Sequence, residues 1–218
     1  MKLYISDPHF FQERFDENLD KRNFPDVRTM NQYMIDQWNK KVRGGDMIIV
    51  LGDLFDTKVP EEVNAVLNRL SGRICLIEGN HDVRWLKKEG VNLNRFEWIK
   101  NYAEFSDGNN MVVASHYPTF SYNHQYVLTT DKKPRTYMLY GHVHNSHDEV
   151  LINQFQELTR KTVLKGSVAD RTIPCNMINC FCKFSDYTPL SLKEWIGLDA
   201  RRRAEMTTPV NQVILDEF

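Results

Sequence analysis

Seven side chains of metal-ligand type are spread over five short segments of the chain. They are Asp7 and His9 in Asp7-Pro8-His9, Asp53 in Gly52-Asp53, Asn80 in Gly79-Asn80-His81-Asp82, the lone His116, and His142 and His144 in Gly141-His142-Val143-His144. Each segment follows an apolar run, and five of the seven histidines of the chain fall within them, which random scatter would rarely produce. Singly the fragments are weak. An Asp-x-His pair is common by chance, an Asp after a strand often serves a turn, and a lone histidine such as His116 is more often a satisfied core residue. Gly-Asn-His-Asp and Gly-His-x-His are more specific, because each sets a conformationally permissive glycine beside ligand-type side chains. The ordered set is stronger than its parts.

Asp, Asn and His offer hard oxygen and borderline nitrogen donors, which suit manganese, iron, zinc, cobalt or nickel rather than calcium or a thiolate-bound ion. Seven donors exceed what one tetrahedral site holds. They suffice for two divalent metal ions if one carboxylate bridges. Two ions about 3.5–4 Å apart can clamp the oxygens of an in-line displacement and generate hydroxide at neutral pH, chemistry whose natural substrate is a phosphate ester.

Something must bring five distant segments together. Candidate strands are Lys2–Ser6, Asp46–Leu51, Arg73–Ile77, Met111–Ser115, Tyr137–Tyr140, Thr162–Gly166 and Met177–Phe184. The first five are mostly continuous apolar runs, as expected of strands covered on both faces. Helical patterns lie between and after them. Val27, Met30, Met34, Trp38 and Val42 recur at helical spacing and end before Gly44-Gly45. Pro60 suits a first helical position, with Val63, Val66, Leu67 and Leu70 as the inner face. Asp148 to Thr159 reads as a further helix, and Ser191-Leu-Lys-Glu194 is a capping box that opens the last one. Alternating strands and helices give an α/β fold, in which ligands bind beyond the carboxyl ends of the strands. The five donor segments stand just there.

In order and spacing these segments resemble the five blocks of the calcineurin-like metallophosphoesterases, over residues 7 to 144 or about two thirds of the chain. The resemblance implies that Asp7, His9 and His144 hold one metal, that Asn80, His116 and His142 hold the other, and that Asp53 bridges them. It implies that His81 faces the substrate phosphate and assists the leaving group, with Asp82 hydrogen-bonding that imidazole to orient it. The implied fold is a four-layer α-β-β-α sandwich with two stacked mixed sheets and the metal site at the strand carboxyl ends. Softer matches link the chain to a small bacterial or phage-type branch: Phe10 and Phe11, Arg22-Asn-Phe, Trp38-Asn39, Asp46, Ser115-His116-Tyr117-Pro118 and Tyr187-x-Pro189-Leu190-Ser191-Leu192. The expected activity is hydrolysis of phosphate esters by a two-metal hydroxide mechanism, with manganese the first choice of metal. The alternatives are a nuclease acting on DNA or RNA, a phosphomonoesterase on the same site, and a scaffold that has lost activity, although every motif ligand is present.

Diesters rank ahead of monoesters because no Lys or Arg lies in Asp7–Phe11, Gly79–Asp82, Ser115–Pro118 or Gly141–His144, and a diester carries one negative charge fewer to compensate. Its second arm could lie over Phe10, Phe11 or Tyr117, and Tyr117 could equally pack. Arg22 and Arg84 are the nearest cations; Arg22 reads as a solvated loop residue. His124 reads as surface, His147 as pointing away from the ligand turn, Trp38 as a core anchor, and Arg201-Arg202-Arg203 as a solvated helical face.

The 218 residues fit a single domain, 1–218, and 41% hydrophobic against 26% charged residues supply a core. Lys and Arg number 28 against 29 Asp and Glu, a net charge of -1, which argues against a broad nucleic-acid surface. The expected partner is a small-molecule or nucleotide phosphate ester. The longest apolar run, Met47–Leu51, is far below the roughly 20 residues of a membrane span. The opening Met-Lys-Leu-Tyr-Ile-Ser-Asp is too short in apolar residues for a signal peptide, so the expected compartment is the cytoplasm. Cys75, Cys175, Cys180 and Cys182 read as buried reduced thiols, the last two on one face of a strand.

Overall fold

The computed structural model describes residues 1–13, 20–167 and 169–205. In chain order the elements are β1 (Lys2–Ile5), α1 (Val27–Lys41), β2 (Met47–Val50), α2 (Pro60–Leu67), β3 (Arg73–Ile77), α3 (Val83–Leu86), β4 (Phe96–Lys100), β5 (Tyr102–Asp107), β6 (Asn110–Ser115), β7 (Thr136–Tyr140), α4 (His147–Lys161), β8 (Val163–Leu164), β9 (Arg171–Thr172), β10 (Met177–Asn179) and α5 (Leu192–Glu205). One sheet takes the order β1-β2-β3-β4 and is parallel throughout. The other takes the order β10-β7-β6-β5 and is mixed, because β5 runs antiparallel to β6.

Successive strand residues face opposite ways, and the core divides accordingly. Leu3, Ile5, Ile48, Val50, Ile74 and Leu76 pack with Met34 and Trp38 of α1 and Val63 and Val66 of α2. Tyr4, Ile49, Cys75 and Ile77 pack instead with Val112, Ala114, Leu139 and Ile178 of the second sheet and with Trp195 of α5. Val113, Met138, Tyr140 and Met177 form a third cluster, against Ile152 and Phe155 of α4. Helices α1, α4 and α5 begin where side chains satisfy free backbone donors. Asp26 accepts from the Thr29 amide at 2.7 Å, Ser146 from the Asp148 amide at 3.2 Å, and Glu194 from the Ser191 amide at 2.8 Å in the expected capping box.

Several sequence expectations change here. β4 and β5 escape the apolar-run criterion because both are edge strands with one wet face, which favours alternation of the Phe96-Glu-Trp-Ile-Lys kind. The run 177–184 is strand only to Asn179; Phe181 makes a single parallel bridge to Ser6, and Cys182–Ser185 turn as a 3-10 helix. Cys180 and Cys182 therefore share no strand face, although all four cysteines are buried free thiols. The expected strand at 162–166 shrinks to β8, paired with β9 apart from both sheets. Of the arginine run, Arg202 lies over the Phe184 ring and bonds buried Glu149, and Arg203 bonds Asp199 and the Met177 carbonyl, so two of the three tie α5 to the core. Among the described residues no helix is long and apolar enough to cross a membrane.

Candidate metal centre

The register aligns the ends of β1, β2 and β3: Ile5 lies opposite Val50, and Val50 opposite Leu76. The chain leaving each strand is then stitched to its neighbour. The Asp7 amide donates to the Gly52 carbonyl and the His9 amide to the Asp53 carbonyl, both at 3.0 Å, and the Gly141 amide donates to the His116 carbonyl at 2.9 Å. Five of the seven expected donors sit in left-handed backbone: Asp7 (φ 53°), His9 (48°), Asp53 (53°), His142 (69°) and His144 (49°). Residues with a Cβ adopt this region only where surroundings impose it, and such strain gathers at functional sites. Two glycines allow the close packing. A Cβ on Gly79 would lie 2.3 Å from Asp53 Oδ1, and one on Gly141 would lie 2.5 Å from Asp7 Oδ2.

All seven expected donors are brought together. The ligand atoms of Asp7, His9 and His144 lie within 4.8 Å of one another, as do those of Asp53, His116 and His142. Asn80 Oδ1 joins the second group at 3.0 Å from His116 Nε2. Asp53 Oδ2 stands between the groups, 3.7 Å from His9 Nε2 and 3.5 Å from His116 Nε2. The outer ring nitrogens are committed elsewhere. His116 Nδ1 meets the Leu51 carbonyl at 2.8 Å, and His144 Nδ1 meets Asp20 Oδ1 at 2.5 Å. Their Nε2 atoms are thus left facing inward, and His144 Nε2 lies 3.3 Å from His9 Nε2 and 3.4 Å from Asp7 Oδ1. Two imidazole nitrogens aimed at one another beside carboxylates form a cage that a cation relieves, so this donor set fits divalent metal ions.

The electrostatics agree. Burial opposes charge on Asp7, yet His144, His116 and His9 overcome it and hold the carboxyl well below its usual range. Burial likewise opposes charge on His144 and His116, but Asp7 and Asp20 carry the first up to about 10, and Asp53 and Asp7 carry the second to about 9. Burial, aided by the Arg22 charge, drops His9 to about 4. The carboxylates thus favour the charged form of His144 and His116, whereas burial and neighbouring positive charge hold His9 and His142 below their usual range.

Asp82 does not touch the His81 ring. Its fully buried carboxylate accepts from the amides of Asp53 and Gly79 at 2.8 Å, and from the Leu54 amide and Trp85 Nε1 at 2.9 Å. It clamps the loop after β2 to the loop after β3, and its burial raises its own pKa to about 6. The His81 ring is oriented by Asp56, whose Oδ1 lies 2.8 Å from Nδ1 and whose hydrogen bond raises the histidine's pKa. The five donor segments do not include Asp56; its signal in the sequence is a second carboxylate three residues after Asp53 in Gly52-Asp53-Leu-Phe-Asp56. His81 and His142 border a cavity of about 320 Å³ together with His9, Asp53, Asn80 and His144.

Arg22 is not a solvated loop residue, for its guanidinium is buried beneath this centre. Phe10 is buried in the core, and Phe11 lines a separate cavity of about 710 Å³ beyond Asp56. Tyr117 is 47% exposed, with its ring 4.4 Å from that of His142. His124 is exposed, as expected.

A family model described as calcineurin-like phosphoesterase matches residues 3–170. An uncharacterized protein of Methanocaldococcus jannaschii is 34% identical over 100 residues, which are 45% of this chain and 56% of that protein, so the match spans little more than half of the relative's length. The crystal structure of a protein of unknown function from Aquifex aeolicus superposes with a TM-score of 0.61 at 21% identity, covering 91% of this chain and 98% of that one. At that identity the likeness is one of fold.

Proposed function

The chain belongs to the calcineurin-like phosphoesterases, and from this premise we propose that it hydrolyses phosphate diesters with two divalent metal ions, manganese foremost. Asp7, His9 and His144 would hold one ion, Asn80, His116 and His142 the other, and Asp53 would bridge. The observation that carries the reading is the single Asp53 oxygen lying 3.7 and 3.5 Å from imidazoles of two separate donor groups. The three apolar clusters support an α-β-β-α sandwich built as one domain, with the centre at the strand carboxyl ends.

When bound, the metal pair supplies a hydroxide nucleophile at neutral pH and neutralises charge on the phosphoryl oxygens. His81, on the cavity rim, gives a proton to the departing oxygen. Asp56 keeps Nδ1 as the donor to its carboxylate and favours the protonated ring, so Nε2 carries the proton to be given. Asp82 holds the two loops that present Asp53 and His81.

The diester preference rests on charge and shape. Beside the second donor group a cavity of about 520 Å³ is lined by Asn80, Val83, Arg84, Asn101, His116 and Tyr117. Arg84 is half exposed and lies 3.7 Å from Asp56, and among the described residues lining the two cavities it is the one Lys or Arg, where a dianion would call for a cluster. The second arm of a diester would lie against Tyr117. The test is kcat/KM for bis-p-nitrophenyl phosphate against p-nitrophenyl phosphate at one pH with manganese. A higher value for the bis-ester is expected. A preference for the mono-ester that is abolished by Arg84→Ala would reassign the substrate to monoesters. Efficient, salt-sensitive cleavage of oligonucleotides would favour the nuclease.

A further inference from the structure

Two buried side chains outside the donor set meet the first donor group from behind. The Asp20 carboxylate is 1% exposed and the Arg22 guanidinium fully buried. Asp20 divides its oxygens: Oδ1 takes His144 Nδ1 at 2.5 Å, while Oδ2 takes Arg22 Nε at 3.1 Å and Nη2 at 3.0 Å. The same guanidinium donates to the Asp7 carbonyl at 3.0 Å and to the Pro8 carbonyl at 2.5 Å. Its planar fork therefore spans a carboxylate and two consecutive backbone carbonyls, which the single ammonium of a lysine cannot do. Those carbonyls belong to the strained stretch with φ of 53° at Asp7 and 48° at His9. Lys183 closes the arrangement by donating to the carbonyls of Asp20 and Lys21.

We propose that Asp20 and Arg22 are positioning residues that build one of two metal subsites, locking the His144 ring and the Asp7–His9 backbone into a single unit. The inference rests on the two-metal reading above and goes beyond it by making the subsites separable. The second donor group touches neither residue: His116 is oriented by the Leu51 carbonyl, and His142 packs on Tyr117 and His116.

Asp20→Asn is the sharpest probe, because it keeps the shape and reverses one proton. The two guanidinium donors claim the amide oxygen, so the NH2 group turns toward His144 Nδ1, which must then accept. The ring proton moves to Nε2, the nitrogen that faces Asp7, and blocks it as a ligand. Mn2+ titrations of the full chain, followed by calorimetry and electron paramagnetic resonance, read the effect without turnover. The wild type is expected to bind two ions. Asp20→Asn should bind one with unchanged affinity and the other about 10–100-fold more weakly, as loss of a carboxylate behind a ligating histidine does. Arg22→Lys, which keeps the charge facing Asp20, should weaken the same ion. Two ions bound by both variants with wild-type affinity would overturn the proposal. So would equal weakening of both ions in step with a lower melting temperature, the mark of a merely structural role. A wild type that binds no Mn2+ would overturn the two-metal reading and this inference with it.

Discussion

The two donor groups that meet at Asp53 are built differently. Asp7 and His9 are 0% and 2% exposed, and behind them and His144 stands a second buried layer of Asp20 and Arg22. In the other group His116 is equally buried, but His142 and Asn80 are exposed and border open cavities. The inner half is the more tightly built, with left-handed backbone at Asp7, His9 and His144 and outer hydrogen bonds behind the His144 ring and the Asp7 and Pro8 carbonyls. The other half leaves two donors at the surface beside Tyr117, where a substrate can reach them. A preorganised half binds with little ordering cost, whereas an exposed half must order its ligands on binding. On the two-metal reading, the inner half would retain its ion, and the outer half would exchange its own and meet the substrate.

His81 lies on the seam, with its ring 4.9 Å from that of His9, and its removal should have the largest effect on turnover while leaving the halves alone. His81→Ala is expected to lower kcat by roughly 10²–10⁴ with two ions still bound, and the deficit should grow as the leaving group becomes poorer. An undiminished rate on a poor leaving group would remove the acid role, and loss of an ion would make His81 a ligand.

The halves themselves are separated by His144→Ala and His142→Ala. Loss of His142 should weaken one ion by at least about the 10–100-fold typical of losing a partner behind a ligand, with activity recovered by excess Mn2+. Loss of His144 should not be recovered at the same concentrations, because it also leaves the buried Asp20 Oδ1 without its donor. Equal recovery of the two variants would erase the distinction between halves. The smallest effect is expected at the outer rim. Tyr117→Leu should lower kcat/KM for the bis-aryl diester by about 3–10-fold, in line with the loss of one aromatic contact, and leave the mono-ester within about twofold.

The contrast between halves also marks what could be read in the sequence. The seven donors were legible because their five segments follow buried strands, three of them opening on a glycine, and β1, β2, β3, β6 and β7 were legible because two-sided burial writes continuous apolar runs. Edge strands β4 and β5 carry the polar residues of a wet face and left no such run. The outer layer of the inner half was illegible for another reason. Arg22 and Asp20 belong to no periodic pattern, and only the tertiary fold puts the Asp7 and Pro8 carbonyls and His144 around them. Asp56 takes the role expected of Asp82 for a related reason. Asp82 follows His81 in sequence, but its side chain turns back to four backbone and indole donors, while Asp56 arrives from the neighbouring loop.

On the two-metal reading Asp53 serves two ions at once. Crystals grown with Mn2+ and measured at the manganese absorption edge would place each ion directly. The expected result is two anomalous peaks flanking the Asp53 carboxylate, one among Asp7, His9 and His144 and the other among Asn80, His116 and His142. A single peak, or peaks that leave Asp53 out of contact, would contradict it.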